Sequence, residues 1–338
     1  MSIAVAILVG GMAAGNAEPA PPTLASMTAQ QLLSQAITAG QTASSPPTFS
    51  GEASSSVNIG LPAIPAGVGG SSAPGLADLL MGDQTYKVWS SPDGLRIANL
   101  QRAGERDLVV NATDAWLWDS QTQTAKQLTF DAARLQARAG AEQQAGMAPD
   151  PAMLGSKIVR RLAPLADLSV TSTQWVAGEP SYTLVLTPTS SSTLISSIQI
   201  ALDANNWMPL QIEVFAKGAD APAIRAGFTS ISFGPVPSST FDFTPPAGAT
   251  VTTVPLPTGG HQPENTDLQN QQPLTFGSGF DTVVAYRLTS PLPPEAAAFL
   301  PYGGPLVSAV VVDEGGSTWV LAGAVPVSVL NAASAKLP

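Results

Sequence analysis

The sequence predicts a mainly β protein of the α+β class, built on an antiparallel sheet with one dry face and helices to cover it. Three observations predict it. Between Tyr182 and Val251 apolar side chains recur every second residue through successive segments separated by turns. Residues 84–130 repeat short β-rich segments at roughly 8–12-residue spacing, the pattern of a continuous meander. The chain is 44% hydrophobic and only 11% charged, so it is a packing sequence despite its 30 Gly and 31 Pro.

In chain order, Ile3 to Ala14 is an apolar run of about a dozen residues, short of the roughly 20 that span a bilayer. It reads as the apolar part of a secretory signal, with Gly15-Asn16-Ala17 as the cleavage site, although no Lys or Arg precedes it. Met27 to Gly40 predicts a helix. Thr28 and Gln31 form a capping box, Met27 and Leu32 sit at the staple positions, and Leu33, Ala36 and Ile37 continue one apolar face. Phe49 to Ile59 predicts a strand, and the Gly/Pro/Ser-rich residues after it a loop. The meander that follows turns at Ser91-Pro92-Asp93-Gly94 and again near Gly104. Asp150-Pro151 predicts a helix start, and Leu154, Ile158, Leu162 and Leu165 form one stripe along it. Lys157, Arg160 and Arg161 flank that stripe as a solvated edge. The central run predicts strands at 182–188, 198–202, 208–215, 226–233 and 241–248. A Pro/Gln/Asn linker leads to a C-terminal module with strands at 280–288, 306–313 and 318–325 and a short final helix. The predicted division is 1–17 apolar segment, 24–252 main domain, 253–273 linker and 274–338 C-terminal β module.

Composition excludes several functions. A net charge of −10 with 14 basic residues leaves no basic face for a phosphate backbone, so no nucleic-acid partner is expected. With no Cys there are no disulfides, thiolate nucleophiles or zinc–thiolate sites. The single His, His261, lies in a Gly/Pro-rich linker, a poor place for a base that needs fixed geometry. Asp93, Asp119, Asp203 and Asp313 fall at turns or strand ends, where Asp is ordinary. No cofactor and no metal are expected, and no enzymatic step.

One resemblance gathers these segments. Thr28-Ala29-Gln30-Gln31-Leu32-Leu33 precedes Phe49-Ser50-Gly51. Then come Trp89-Ser90-Ser91-Pro92-Asp93-Gly94-Leu95-Arg96-Ile97, Gly104-Glu105-Arg106-Asp107 and Trp116-Leu117-Trp118-Asp119-Ser120. Last are Trp207-Met208-Pro209-Leu210-Gln211-Ile212-Glu213-Val214 and Phe241-Asp242-Phe243-Thr244-Pro245-Pro246-Ala247-Gly248. In order and spacing this ladder resembles the LolA-like lipoprotein-carrier superfamily, which includes RseB-like regulators. The resemblance implies a highly curved, unclosed antiparallel sheet, a half-barrel, with helices plugging the concave face and acyl chains held in between.

Alternation then names an expected wall: Trp116, Trp118, Leu184, Leu186, Ile198, Ile200, Ile212, Val214 and Phe228. The expected plug is Leu32, Leu33, Ile37, Leu154, Ile158 and Leu162, with Arg96 and Arg106 as contacts between sheet and lid. The expected function is an extracytoplasmic carrier, secreted or in the cell envelope, that binds the acyl chains of a lipid or lipoprotein. Two alternatives stand beside it: an RseB-like sensor binding a membrane partner protein such as an anti-sigma factor, and a hydrolase on a β scaffold.

Overall fold

A computed structural model describes residues 20–42, 47–60, 83–101, 104–129, 163–255, 273–288, 292 and 297–338. Within these residues the chain is mostly β. A twelve-stranded sheet carries the N-terminal part and a five-stranded sheet the C-terminal part.

The capping box forms as the sequence predicts. The Thr28 N–H donates to Gln31 Oε1 (2.9 Å) and the Gln31 N–H donates to Thr28 Oγ1 (3.2 Å), which starts helix α1 (Ala29–Thr42). The large sheet then runs β1 (Phe49–Val57), β2 (Gln84–Ser91), β3 (Gly94–Gln101), β4 (Gly104–Asn111), β5 (Asp114–Asp119) and β6 (Thr124–Thr129). It continues through β7 (Ala166–Val176), β8 (Glu179–Pro188), β9 (Ile195–Asp203), β10 (Pro209–Ala216), β11 (Pro222–Phe233) and β12 (Thr250–Pro255). Its spatial order is β12-β6-β5-β4-β3-β2-β1-β11-β10-β9-β8-β7. Strand β1 thus joins two meanders by pairing with both β2 and β11. Every neighbour is antiparallel except β12, which lies parallel to β6.

The sheet is curved and unclosed. At one end it rolls far enough for the tip of the β7–β8 hairpin to reach β11, where the Ile231 N–H donates to the Ala177 carbonyl (3.2 Å). Ala177 and Gly178 both adopt positive φ, the two-residue turn that matches strand twist.

Two sequence expectations are corrected. Residues 241–248 are not a strand. After a short 3-10 turn (Ser238–Phe241) the chain crosses the face of β3–β6 as a strap. Pro245 and Pro246 have no N–H to give a ladder, and Phe241 and Phe243 are drawn onto the sheet face instead. Leu165 belongs to a 3-10 turn (Ala163–Leu165) that leads directly into β7, a strand the sequence reading missed. Its alternation of Ala166, Leu168 and Val170 was masked by the helical stripe read just before it.

The C-terminal sheet runs β13 (Leu274–Phe276), β14 (Val283–Arg287), β15 (Tyr302–Gly303), β16 (Ser308–Glu314) and β17 (Ser317–Gly323), in the order β13-β14-β17-β16-β15. Helix α2 (Val327–Ser334) covers one face through Leu330 and Ala333, against Val310, Trp319 and Leu321. This unit is seated firmly on the large sheet. Phe280 enters the core beneath α1, and Leu306 enters a cluster with Ala216 and Ala223. The Leu194 N–H donates to the Ala324 carbonyl (2.7 Å) and the Tyr302 hydroxyl to the Ile59 carbonyl (2.6 Å). Gly304 is obligatory there, because a Cβ would lie 2.1 Å from the Tyr302 hydroxyl oxygen.

Candidate functional site

Residues directly opposite one another on neighbouring strands share a sheet face. Register therefore maps the face on which α1 sits. Leu184 and Leu186 of β8 face Ile200 and Ile198 of β9, which face Ile212 and Val214 of β10. These face Ala226 and Ile224 of β11, and then Ser55 and Val57 of β1. Two same-face steps along β1 from Ser55, past Ala53, Gly51 leads through Val88, Ile97 and Leu108 to Leu117 of β5. Across these nine strands the face carries one apolar row over β8–β11 and a second, offset row over β2–β5.

Its cover is uneven. Over β7–β9 the helix fills the space completely: Leu32, Leu184 and Leu186 are at most 2% exposed, with Leu33, Ile198 and Ile200 packed around them. Beyond the helix the same face opens. Ile212 is 40% exposed and Leu117 47%, and Val88, Ile97 and Leu108 between them are half-buried. The Phe49 and Phe228 rings meet edge-on beside Gly51, where a Cβ would lie 3.1 Å from the Phe228 ring. The missing side chain makes room for that aromatic pair.

The expected wall thus divides. Leu184, Leu186, Ile198, Ile200, Ile212, Val214 and Phe228 lie on the α1 face. Trp116 and Trp118 lie on the other face, packed under the strap with ring centroids 5.4 and 6.1 Å from Phe243. Of the expected plug, Leu32 and Leu33 pack on the sheet, Ile37 is half-buried outside that cluster, and Leu154, Ile158 and Leu162 lie outside the described residues. Val88, Ile97, Leu108 and Leu117 were missed. Each alternates correctly in sequence, but which alternate set faces α1 is set by pairing with distant strands.

Arg96 and Arg106 do not bridge sheet and lid; each pairs with a carboxylate of its own sheet. Arg96 lies on the strap face, bound to Asp107 and stacked over Trp89 at 5.7 Å. Arg106 lies on the α1 face, its Nε 2.7 Å from Asp119 Oδ2. Burial pushes the Asp119 carboxyl up. Hydrogen bonds from the Thr122 and Gln121 N–H groups, with the bond and charge of Arg106, outweigh it and leave the carboxyl below its ordinary value of 3.8. A depressed folded pKa contributes stability above the unfolded value, lost as pH falls through the folded one. Asp119→Asn should therefore be less stable than wild type at neutral pH, with the gap closing as pH falls below the ordinary value of 3.8, as read by urea unfolding at each pH.

Carboxylates elsewhere have structural work. Asp203 accepts the N–H groups of Asn205 (2.7 Å) and Asn206 (2.8 Å) and so holds the β9–β10 turn. Burial, then the Asp203 charge, pushes nearby Glu179 up. Asp313 accepts the Thr318 hydroxyl (2.6 Å) across the β16–β17 hairpin. His261 lies outside the described residues. Among the described residues no helix is long and apolar enough to cross a membrane.

No family model matches the chain, and no curated protein matches it significantly. Solved structures similar to it include the Pseudomonas aeruginosa MucA/MucB complex, at 17% identity over 90% of this chain and 96% of that one, with a TM-score of 0.45. A DUF1329 family protein from Desulfovibrio piger matches at 9% identity over 63% of this chain and 97% of its own, with a TM-score of 0.24. A LolA superfamily protein from Nitrosomonas europaea matches at 10% identity over 64% of this chain and 99% of its own, with a TM-score of 0.22.

Proposed function

We propose that the protein is an extracytoplasmic carrier that holds the acyl chains of a lipid or lipoprotein on the open part of the α1 face, with no enzymatic step. The observation that carries this reading is the apolar floor on the α1 face, in two offset rows, Ile212 and Val214 on β10 and Val88, Ile97, Leu108 and Leu117 on β2–β5, which stay half-buried or exposed in the middle of regular strands. Scattered exposed apolar residues are normal, but apolar side chains aligned in rows on one sheet face mark a binding surface. Each methylene moved from water onto such a floor gains about 0.8 kcal/mol, so a sixteen-carbon chain gains roughly 10 kcal/mol before the costs of ordering and association. Such a ligand needs no acid–base group.

Native mass spectrometry of protein purified from membranes should show co-bound lipid, and the protein should take up a fluorescent fatty acid. Ile212→Glu puts a charge on the floor at an already exposed position. It should leave the fold intact by circular dichroism and weaken fatty-acid binding by about tenfold or more. Protein that is reproducibly empty and refuses the probe would overturn the reading.

A second reading, a sensor that captures a membrane partner protein, is favoured by exposed aromatics on the C-terminal unit: Tyr286 is 40% and Phe299 46% exposed. Cross-linking in membranes should then yield an adduct that Tyr286→Ser with Phe299→Ser removes without loss of lipid binding. No adduct with the wild-type chain would remove this reading.

A further inference from the structure

The floor has a polar margin. On β1 to β5, the α1 face beside the apolar row carries Ala53, Tyr86, Asn99, Arg106 and Asp119, set in line by the pairings Ala53–Tyr86, Tyr86–Asn99, Asn99–Arg106 and Arg106–Asp119, with the pair Ser55–Gln84 one step further out. The next row inward is the apolar one of Val88, Ile97, Leu108 and Leu117. A hydrogen-bonding row beside a hydrocarbon row is the surface that an amphiphile fits.

Two groups in this margin are buried and unmatched. Ser55 is 7% exposed and Asn99 3%, and among the described residues neither Ser55 Oγ nor Asn99 Oδ1 has a hydrogen-bond partner. The Asn99 amide nitrogen is occupied, donating to Gln84 Oε1 at 3.1 Å. Half-buried Gln84, opposite Ser55 and bonded to Asn99, links the two. Unmatched buried polar atoms are rare in folded proteins and call for a partner. The margin's one cation is already neutralised, since Arg106 is held by Asp119. What remains in the margin itself is neutral hydrogen-bonding capacity; the exposed Lys126 lies at the far end of the floor, across from Leu117.

We infer that this margin holds a neutral, hydroxyl-bearing lipid headgroup of the acylglycerol type, with its acyl chain on the adjoining floor. A hydroxyl both donates and accepts, so it satisfies Ser55 and Asn99 whichever way the Asn99 and Gln84 amides are turned. The inference rests on the carrier reading and adds the class of headgroup to it.

The test is a displacement assay on the full chain, with a fluorescent fatty acid as reporter and three competitors of equal chain length: monopalmitoylglycerol, palmitic acid methyl ester and palmitoyl lysophosphatidic acid. Wild type should bind the monoacylglycerol about tenfold tighter than the methyl ester, and no less tightly than the lysophosphatidic acid. Asn99→Leu, and separately Ser55→Ala, should reduce that preference severalfold while methyl-ester binding holds. Equal binding of monoacylglycerol and methyl ester by wild type would overturn the headgroup assignment and leave the carrier reading standing. So would a clear preference for the phosphate. Binding of none of the three, together with failure to take up the reporter, would overturn the carrier reading itself. The wild-type comparison decides the matter even if a variant fails to fold.

Discussion

Replacing Phe280 with alanine should destabilise the whole protein by about 3–5 kcal/mol, an effect far larger than its place in a C-terminal module suggests. The ring is 6% exposed and packs in the same cluster as Leu32, Leu184 and Leu186, so it completes the core under α1 from the second sheet. Loss of the ring leaves a cavity where helix, large sheet and C-terminal unit meet. Urea unfolding followed by tryptophan fluorescence and by circular dichroism should show one shared transition in wild type. In Phe280→Ala the midpoint should fall, and the two probes should separate as the units uncouple. Coincident transitions at the wild-type midpoint would show that Phe280 does not couple the two sheets. The same packing predicts that removing residues 274–338 harms the large sheet itself, so surface substitutions are the sounder way to probe the C-terminal unit.

Arg96→Leu should cost about 3–5 kcal/mol, because it leaves the Asp107 carboxylate buried without its cation. The Asp107 side chain is 1% exposed, whereas Arg96 is 29% exposed and keeps the Trp89 ring beneath it. The reverse change, Asp107→Leu, should therefore cost less, since the guanidinium it strands still reaches water. The double variant Arg96→Leu/Asp107→Leu should regain most of the loss, as apolar replacements of a buried pair commonly do. A double-mutant cycle in urea measures all three. Additive losses would mean that the pair does not act as a unit.

Much of the fold is legible in the sequence because its causes are local. The capping box at Thr28 and Gln31 lies within four residues, and both of its bonds form. The Pro92-Asp93 and Gly315-Gly316 turns are set by residues that favour those conformations, and the strands on either side follow. The strap and strand β7 were not legible. Phe241-Asp242-Phe243 alternates like a strand, and only its landing on Trp116 and Trp118 makes it a cover. The site shows the same limit. Alternation in β5 separates Trp116 and Trp118 from Ala115 and Leu117 without saying which pair looks toward α1. Bulk favours the tryptophans, but the register from β1 through β4 turns Leu117 to that face.

The sequence by itself determined a mainly β chain of low charge without cysteine, its turns, its N-terminal helix and the two alternating sets of side chains in each strand, because each of these follows from residues close in the chain. Only the tertiary structure decided which set forms the floor beside α1, that β1 joins the two meanders, and that Phe280 and Leu306 of the second sheet complete the core of the first. Those outcomes depend on pairings between residues far apart in the chain, Ala53 with Phe228 among them. A period of two is the same on either side of a strand until its neighbour fixes which way it turns.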